Sequence, residues 1–260
     1  MFINMDPNDF KREKLIFGDV FSETQQLYWK LLGIGALTVI IYLFASAAVN
    51  VVFESITGLK NLTESFTEEI SQSRDINRIW QKTLSFYSEN TSVVLLTRFG
   101  ADLILLLSFP LAGGFMLACR QMDKEGYASV STIFEGFRPE YWSRLMVLAF
   151  AYYVLSKIGM FFLVIPGIYI WVAAVLGCPF VMFGGKSGID ALKSSVELVN
   201  KDWFTVFKIL LIATIIGWLG YLLCGIGRAV TYPFVFVSIY IMYKHMVGFT
   251  DDSISDIGRK

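Results

Sequence analysis

Two ionisable residues stand deep inside apolar runs. Lys157 is the one charged residue between Phe150 and Gly167, and Asp102 lies in the run from Val93 to Leu117, with Arg98 one turn before it. A lysine near the centre of a membrane-crossing helix costs about 2.5–3.5 kcal/mol on insertion scales, so a partner is expected. Counted inward from Val93, Asp102 is about 13 Å along its helix, and Lys157 is about 12 Å in from Ile165, at about 1.5 Å per residue. The matched depths predict an Asp102–Lys157 pair between neighbouring spans, with Arg98 sharing the carboxylate or snorkelling to the headgroups. Such a pair either pins helix register or serves an ion or proton path. The competing arrangement satisfies Asp102 through Arg98 alone at i, i+4, and Lys157 snorkels outward.

Other chemistry is sparse. His245 is the only histidine, which excludes a metal site built on several imidazoles. Beside Lys244 at the end of an apolar run, it reads as a surface residue. Gly184-Gly185-Lys186-Ser187 lacks the spacing of a phosphate-binding loop, and the sequence contains no Gly-x-Ser-x-Gly elbow. Cys119, Cys178 and Cys224 are odd in number and flank apolar runs, so they read as small buried hydrophobes. No catalytic residue, cofactor or metal ion is therefore expected. Net charge is zero and the bases are dispersed, which removes the electrostatic footprint of a nucleic-acid binder.

The elements that must position these residues are apolar helices. Of 260 residues, 55% are hydrophobic and 17% charged, with mean hydropathy +0.57; an ordinary soluble domain is nearer a quarter charged. A spanning helix needs about 20 mostly apolar residues. Six runs qualify: Leu31–Phe53, Val93–Leu117, Leu145–Ile165, Gly167–Phe183, Val206–Leu223 and Ala229–Val247. The predicted fold is an all-α polytopic membrane bundle forming one domain. Residues 1–30 make a cytoplasmic amphipathic segment without the apolar core of a signal peptide. Residues 54–92 make an extracytoplasmic loop and 248–260 a cytoplasmic tail. Pro166 and Gly167 predict a tight hairpin between the third and fourth spans, and Pro110, Pro179 and Pro233 predict kinks. Glycines in Leu32–Ala36 and Leu111–Phe115 read as close helix contacts.

Basic residues set the orientation. One side collects Lys11, Arg12, Lys14, Lys30, Arg120, Lys124, Arg138, Arg144, Lys186, Lys193, Lys201, Lys208, Lys244, Arg259 and Lys260; the other has Lys60, Arg74, Arg78, Lys82 and Arg228. Fifteen against five predicts cytoplasmic termini.

A unit recurs before each odd-numbered span: DVFSETQQLYWKLLGIG, TIFEGFRPEYWSRLMVL and LKSSVELVNKDWFTVFKIL. Each is a short amphipathic stretch carrying a tryptophan (Trp29, Trp142, Trp203) and then a base. In the third, Ile189, Leu192, Val196, Val199 and Trp203 form one helical stripe behind an S-x-x-D cap at Ser187 and Asp190. In the first, Phe17, Val20, Phe21, Thr24 and Tyr28 do the same. Three units of interfacial helix plus hairpin follow. A further amphipathic pattern, Ile76, Ile79, Trp80, Leu84 and Tyr87, lies in the 54–92 loop.

From Ile165 to Met246 the chain resembles a superfamily of bacterial six-span integral membrane proteins of uncharacterised function. That superfamily includes the membrane domain fused to some glycerophosphodiester phosphodiesterases. The residues that carry the resemblance are Ile165-Pro166-Gly167, Ala191-Leu192, Ser195-Val196-Glu197-Leu198, Gly217-Trp218, Gly225-Ile226-Gly227, Tyr232-Pro233 and Tyr243. It implies a packing motif of Pro166, Gly167, Ser195, Gly217, Trp218, Gly225, Gly227, Tyr232 and Pro233, in the bacterial cytoplasmic (inner) membrane. Relatives carry an acid near Gly184-Gly185, where this chain has two glycines, and the chain has no attached phosphodiesterase domain, so that activity does not carry over. The expected function is non-enzymatic: envelope or lipid organisation, or scaffolding. The alternative is a small transporter or channel with an intramembrane Asp/Lys site. The expected partners are the lipid bilayer and a bound lipid or protein, with no nucleic acid.

Overall fold

The computed structural model describes residues 15–162, 164–222 and 227–249. Every regular element among them is helical. The chain opens with α1 (Phe17–Thr57), a single helix of 41 residues that ends at Gly58, whose φ of 68° suits glycine. Then come α2 (Leu59–Ser71) and α3 (Ile76–Glu89), the latter capped by the Asp75 carboxylate on the amides of Asn77 and Arg78. Next are α4 (Thr91–Leu107), α5 (Phe109–Glu125), a 3-10 segment (Val130–Phe137) and α6 (Pro139–Phe162). The rest comprises α7 (Val164–Ala173), α8 (Gly177–Met182), α9 (Gly188–Val199), α10 (Trp203–Leu219), α11 (Gly227–Thr231) and α12 (Pro233–Met246).

Four stretches are long and apolar enough to cross a membrane: Phe17–Thr57, Thr91–Glu125, Ile165–Met182 and Trp203–Leu222. Their outer faces present Phe44, Phe99, Ile165 and Phe204 as exposed side chains. An apolar face of that extent is an aggregation liability in water and ordinary in lipid. The first amphipathic stretch is not a separate helix, because it runs unbroken into α1; its stripe is nonetheless inward, with Val20, Thr24 and Tyr28 buried.

Prolines break these helices where kinks were expected. Pro110, Pro179 and Pro233 each lie in the first turn of a new helix, where the missing N–H is one of the orphan donors anyway. Pro166 and Gly167 likewise fall inside the start of α7, where the sequence placed a turn. The hairpin itself is present. Gly159 of α6 meets Gly167 of α7 so closely that a Cβ on Gly159 would lie 3.0 Å from the Gly167 Cα.

The chain divides into two compact units. The smaller is Ile41–Leu107, and the larger takes the described residues before and after it. In the smaller, Phe53 packs over Gly100, the Thr57 and Thr97 hydroxyls lie 3.0 Å apart, and Phe66 of α2 stacks on Phe86 of α3 at 4.5 Å. In the larger, α5 and the 3-10 segment meet backbone to backbone: a Cβ on Gly114 would overlap the Ile133 carbonyl, and one on Gly136 that of Pro110. Gly35 of α1 admits the ring of Pro233, whose Cβ would lie 2.6 Å from a Cβ placed on the glycine. The core gathers Phe115, Leu145, Leu148, Phe180, Leu210, Tyr240 and Tyr243.

Candidate functional site

Two groups of polar contacts in the larger unit join helices far apart in sequence. The first lies at the break in the Ile165–Met182 span. Between α7 and α8, the Ala173 carbonyl and the Leu176 amide lose their helical partners. Ser195, fully buried on α9, supplies both: its hydroxyl donates to the Ala173 carbonyl at 2.7 Å and accepts from the Leu176 amide at 3.0 Å. An orphan backbone group in a low-dielectric interior costs several kcal/mol, so the break depends on α9 being docked.

The helix α9 begins where the sequence predicts. The Ser187 hydroxyl accepts from the Asp190 amide at 3.2 Å and donates to its carboxylate at 2.7 Å. Ahead of it, Gly185 takes φ 61°, and Arg144 donates to its carbonyl at 3.0 Å. The paired glycines at 184–185 are thus a turn requirement. The phase of α9 differs from the expected stripe. Buried positions are Ala191, Leu192, Ser195, Leu198 and Val199, whereas Ile189 is 42% exposed and Val196 half-buried. The helix packs on both α6 and α8, and small residues, Ala191 and Ser195, let it approach them.

The second is an ionic cluster joining three helices. The Asp123 carboxylate on α5 accepts from the Tyr240 hydroxyl at 2.9 Å and pairs with the Lys244 ammonium at 2.9 Å, both on α12. Lys244 also reaches Glu23 of α1 at 3.4 Å, and the Glu23 carboxylate accepts from His245 Nε2 at 3.0 Å. Arg120, one turn before Asp123, lies over the rings of Phe249 and Phe183 at 4.0 and 5.5 Å. His245 is therefore no isolated surface residue. Its partner is 222 positions away, and only the charges beside the buried stripes of α1 and α12 hinted at it. Chemically the cluster holds two carboxylates, the Lys244 ammonium and the His245 imidazole in mutual contact, which ties α1, α5 and α12 together. Among the described residues no group of three His, Cys, Asp or Glu is placed to hold a metal ion.

The predicted intramembrane charges fall in different units. Asp102, its side chain 14% exposed, has the Arg98 guanidinium at 3.9 Å in the smaller unit. Lys157 in the larger unit lies with its ammonium 5.0 Å from the Tyr153 ring. Of the packing motif, Gly167, Ser195, Gly217, Gly227 and Pro233 are buried, and Pro166 is half-buried. Gly217 abuts Val235, and its carbonyl accepts from Thr231 at 2.8 Å. Tyr232 carries Arg228 over its ring at 5.4 Å, and Trp218 is exposed against Tyr221. Gly225 and Cys224 lie outside the described residues, as do Lys11, Arg12, Lys14, Arg259 and Lys260. Cys119 and Cys178 are free thiols buried in the core. No family profile, curated protein or solved structure matches the chain.

Proposed function

We propose that the chain is a non-enzymatic, multi-pass protein of the bacterial cytoplasmic membrane whose role is to organise the envelope, either by ordering lipid or by scaffolding a protein partner. The observation that carries this is the polar cluster: its carboxylates engage the Lys244 ammonium, the Tyr240 hydroxyl and the His245 ring, and tie α1, α5 and α12 together. Groups held for chemistry would instead converge on space for a substrate.

The proposed topology has six spans and cytoplasmic termini. It adds to the four apolar stretches α6, which at 24 residues would reach about 36 Å, and the α11–α12 segment. The three-unit arrangement and the resemblance over Ile165–Met246 belong to the same proposal. Reporter fusions at Lys260 and within Lys60–Ser88 test it; an extracytoplasmic C-terminus would refute the orientation.

Extraction in native lipid patches, followed by identification of stoichiometric lipids and proteins, tests the role. A stoichiometric lipid supports lipid ordering and a stoichiometric protein supports scaffolding; recovery of neither removes both. A second role, a small transporter, draws on Asp102, an acid largely withdrawn from solvent within an apolar helix. Ion-dependent uptake into proteoliposomes that is lost in Asp102→Asn, with folding retained, would favour it.

A further inference from the structure

Within the smaller unit, α2 and α3 are built differently. On α2 the large apolar residues Leu59, Leu62, Phe66 and Ile70 are all half-buried, and the remaining residues are polar. On α3 one face packs inward through Ile79, Thr83 and Phe86, and Lys82 of that face pairs with Glu69 of α2. A second apolar face is left over. Ile76 is 80% exposed, Trp80 64%, Leu84 54% and Tyr87 56%. At 3.6 residues per turn these four cluster about 105° around the helix from the packing face. Asn77, Arg78, Gln81, Ser85, Ser88 and Glu89 fill the third, polar face, and all six are exposed.

We infer that α3 lies in the membrane–water interface, with Ile76, Trp80, Leu84 and Tyr87 inserted among lipid headgroups and upper acyl chains. The inference rests on α4 being membrane-embedded. Only Asn90 separates α3 from α4, so the end of α3 is held at the depth where α4 begins. The outward face of α4 is apolar as well, with Leu95, Leu96 and Phe99 exposed. Trp80 and Tyr87 are the amphipathic ring types favoured at headgroup level, and the face away from the packed one and this apolar one is polar and charged, as on interfacial helices. The segment between the first two spans is thus a membrane-gripping paddle: α3 holds the lipid and α2 covers it from the aqueous side.

The test uses the full chain in vesicles of phosphatidylethanolamine with a minor share of phosphatidylglycerol. An environment-sensitive fluorophore is attached through Trp80→Cys, Leu84→Cys, Gln81→Cys or Phe99→Cys, all surface positions, with the buried native thiols monitored in an unlabelled control. Labels at 80 and 84 are expected to lose most of their emission to lipids bearing a nitroxide near the headgroup, and little to aqueous iodide. The label at 81 should show the reverse, and the label at 99 should respond most to a nitroxide near the chain end. Iodide quenching at 80 and 84 with lipid quenching intact at 99 overturns the inference alone. Loss of lipid quenching at 99 overturns the membrane placement of α4 beneath it. Protection of 80 and 84 from both quenchers, with disulfide cross-links between copies at 80, assigns the face to a second copy and also overturns it.

Discussion

Ser195→Ala removes one oxygen atom from the core, and its consequence follows from what that oxygen holds. The hydroxyl is fully buried and makes two short bonds, at 2.7 Å to the Ala173 carbonyl and 3.0 Å to the Leu176 amide. Both backbone groups lie at the gap between α7 and α8, where the helical ladder offers no replacement. Stranding a buried polar group costs about 1–3 kcal/mol, so two give an upper figure near 6 kcal/mol. Side-chain hydrogen bonds between membrane helices average only about 0.6 kcal/mol, so two give a lower figure near 1.2 kcal/mol. The loss expected is about 2–3 kcal/mol, because these are backbone groups of a broken helix and cannot simply rotate toward other donors. The assay is unfolding of the purified protein in mild detergent by titration with a denaturing detergent, read by tryptophan fluorescence. Ser195→Thr keeps the hydroxyl and tests whether the site has room for a methyl group, and Ser194→Ala, which loses only the 2.7 Å bond from Lys186, is the neighbouring control. A Ser195→Ala protein within about 0.5 kcal/mol of wild type, the spread of ordinary surface changes, would refute the assignment.

Three further outcomes are expected. Leu192→Ala, at a site 8% exposed, should cost about 2–5 kcal/mol by cavity formation, whereas Ile189→Ala at 42% exposure should cost well under half of that; equal losses in thermal midpoint would contradict the phase of α9. Gly114→Ala drives a methyl group into the Ile133 carbonyl and should cost at least about 1–3 kcal/mol. Gly33→Ala, with open space around it, should be neutral or stabilise by about 0.4–1 kcal/mol, and the two are compared by the folded fraction that survives heating. Asp123→Asn and Lys244→Met should each destabilise, and the double variant should lose less than their sum by about 0.5–1 kcal/mol; strict additivity would show that the cluster does not couple α5 to α12.

Much of this chain is legible one segment at a time. Hydropathy over a window, the Ser187–Asp190 cap and the inward stripe of Val20, Thr24 and Tyr28 are local properties; the cap and the stripe appear where the sequence places them, and four of the six apolar runs overlap stretches long and apolar enough to cross a membrane. Proline was legible as a disturbance but not as its outcome, because whether a helix bends or ends depends on what else can satisfy the freed carbonyls. For α9, the sequence pointed to a stripe through Ile189 and Val196, and packing against α6 and α8 instead buries Ala191, Ser195 and Leu198. The purpose of Ser195 could not be read from its neighbours in sequence, since the groups it satisfies flank the gap between α7 and α8, 22 and 19 residues earlier. Glu23 and His245 lie still further apart, on helices near opposite ends of the chain. Composition and periodicity, being short-range, determine that this protein is helical and apolar enough for a membrane. Which charge meets which, and which face turns inward, is settled only when distant helices pack, because a pairing energy exists only between groups brought within a few ångströms.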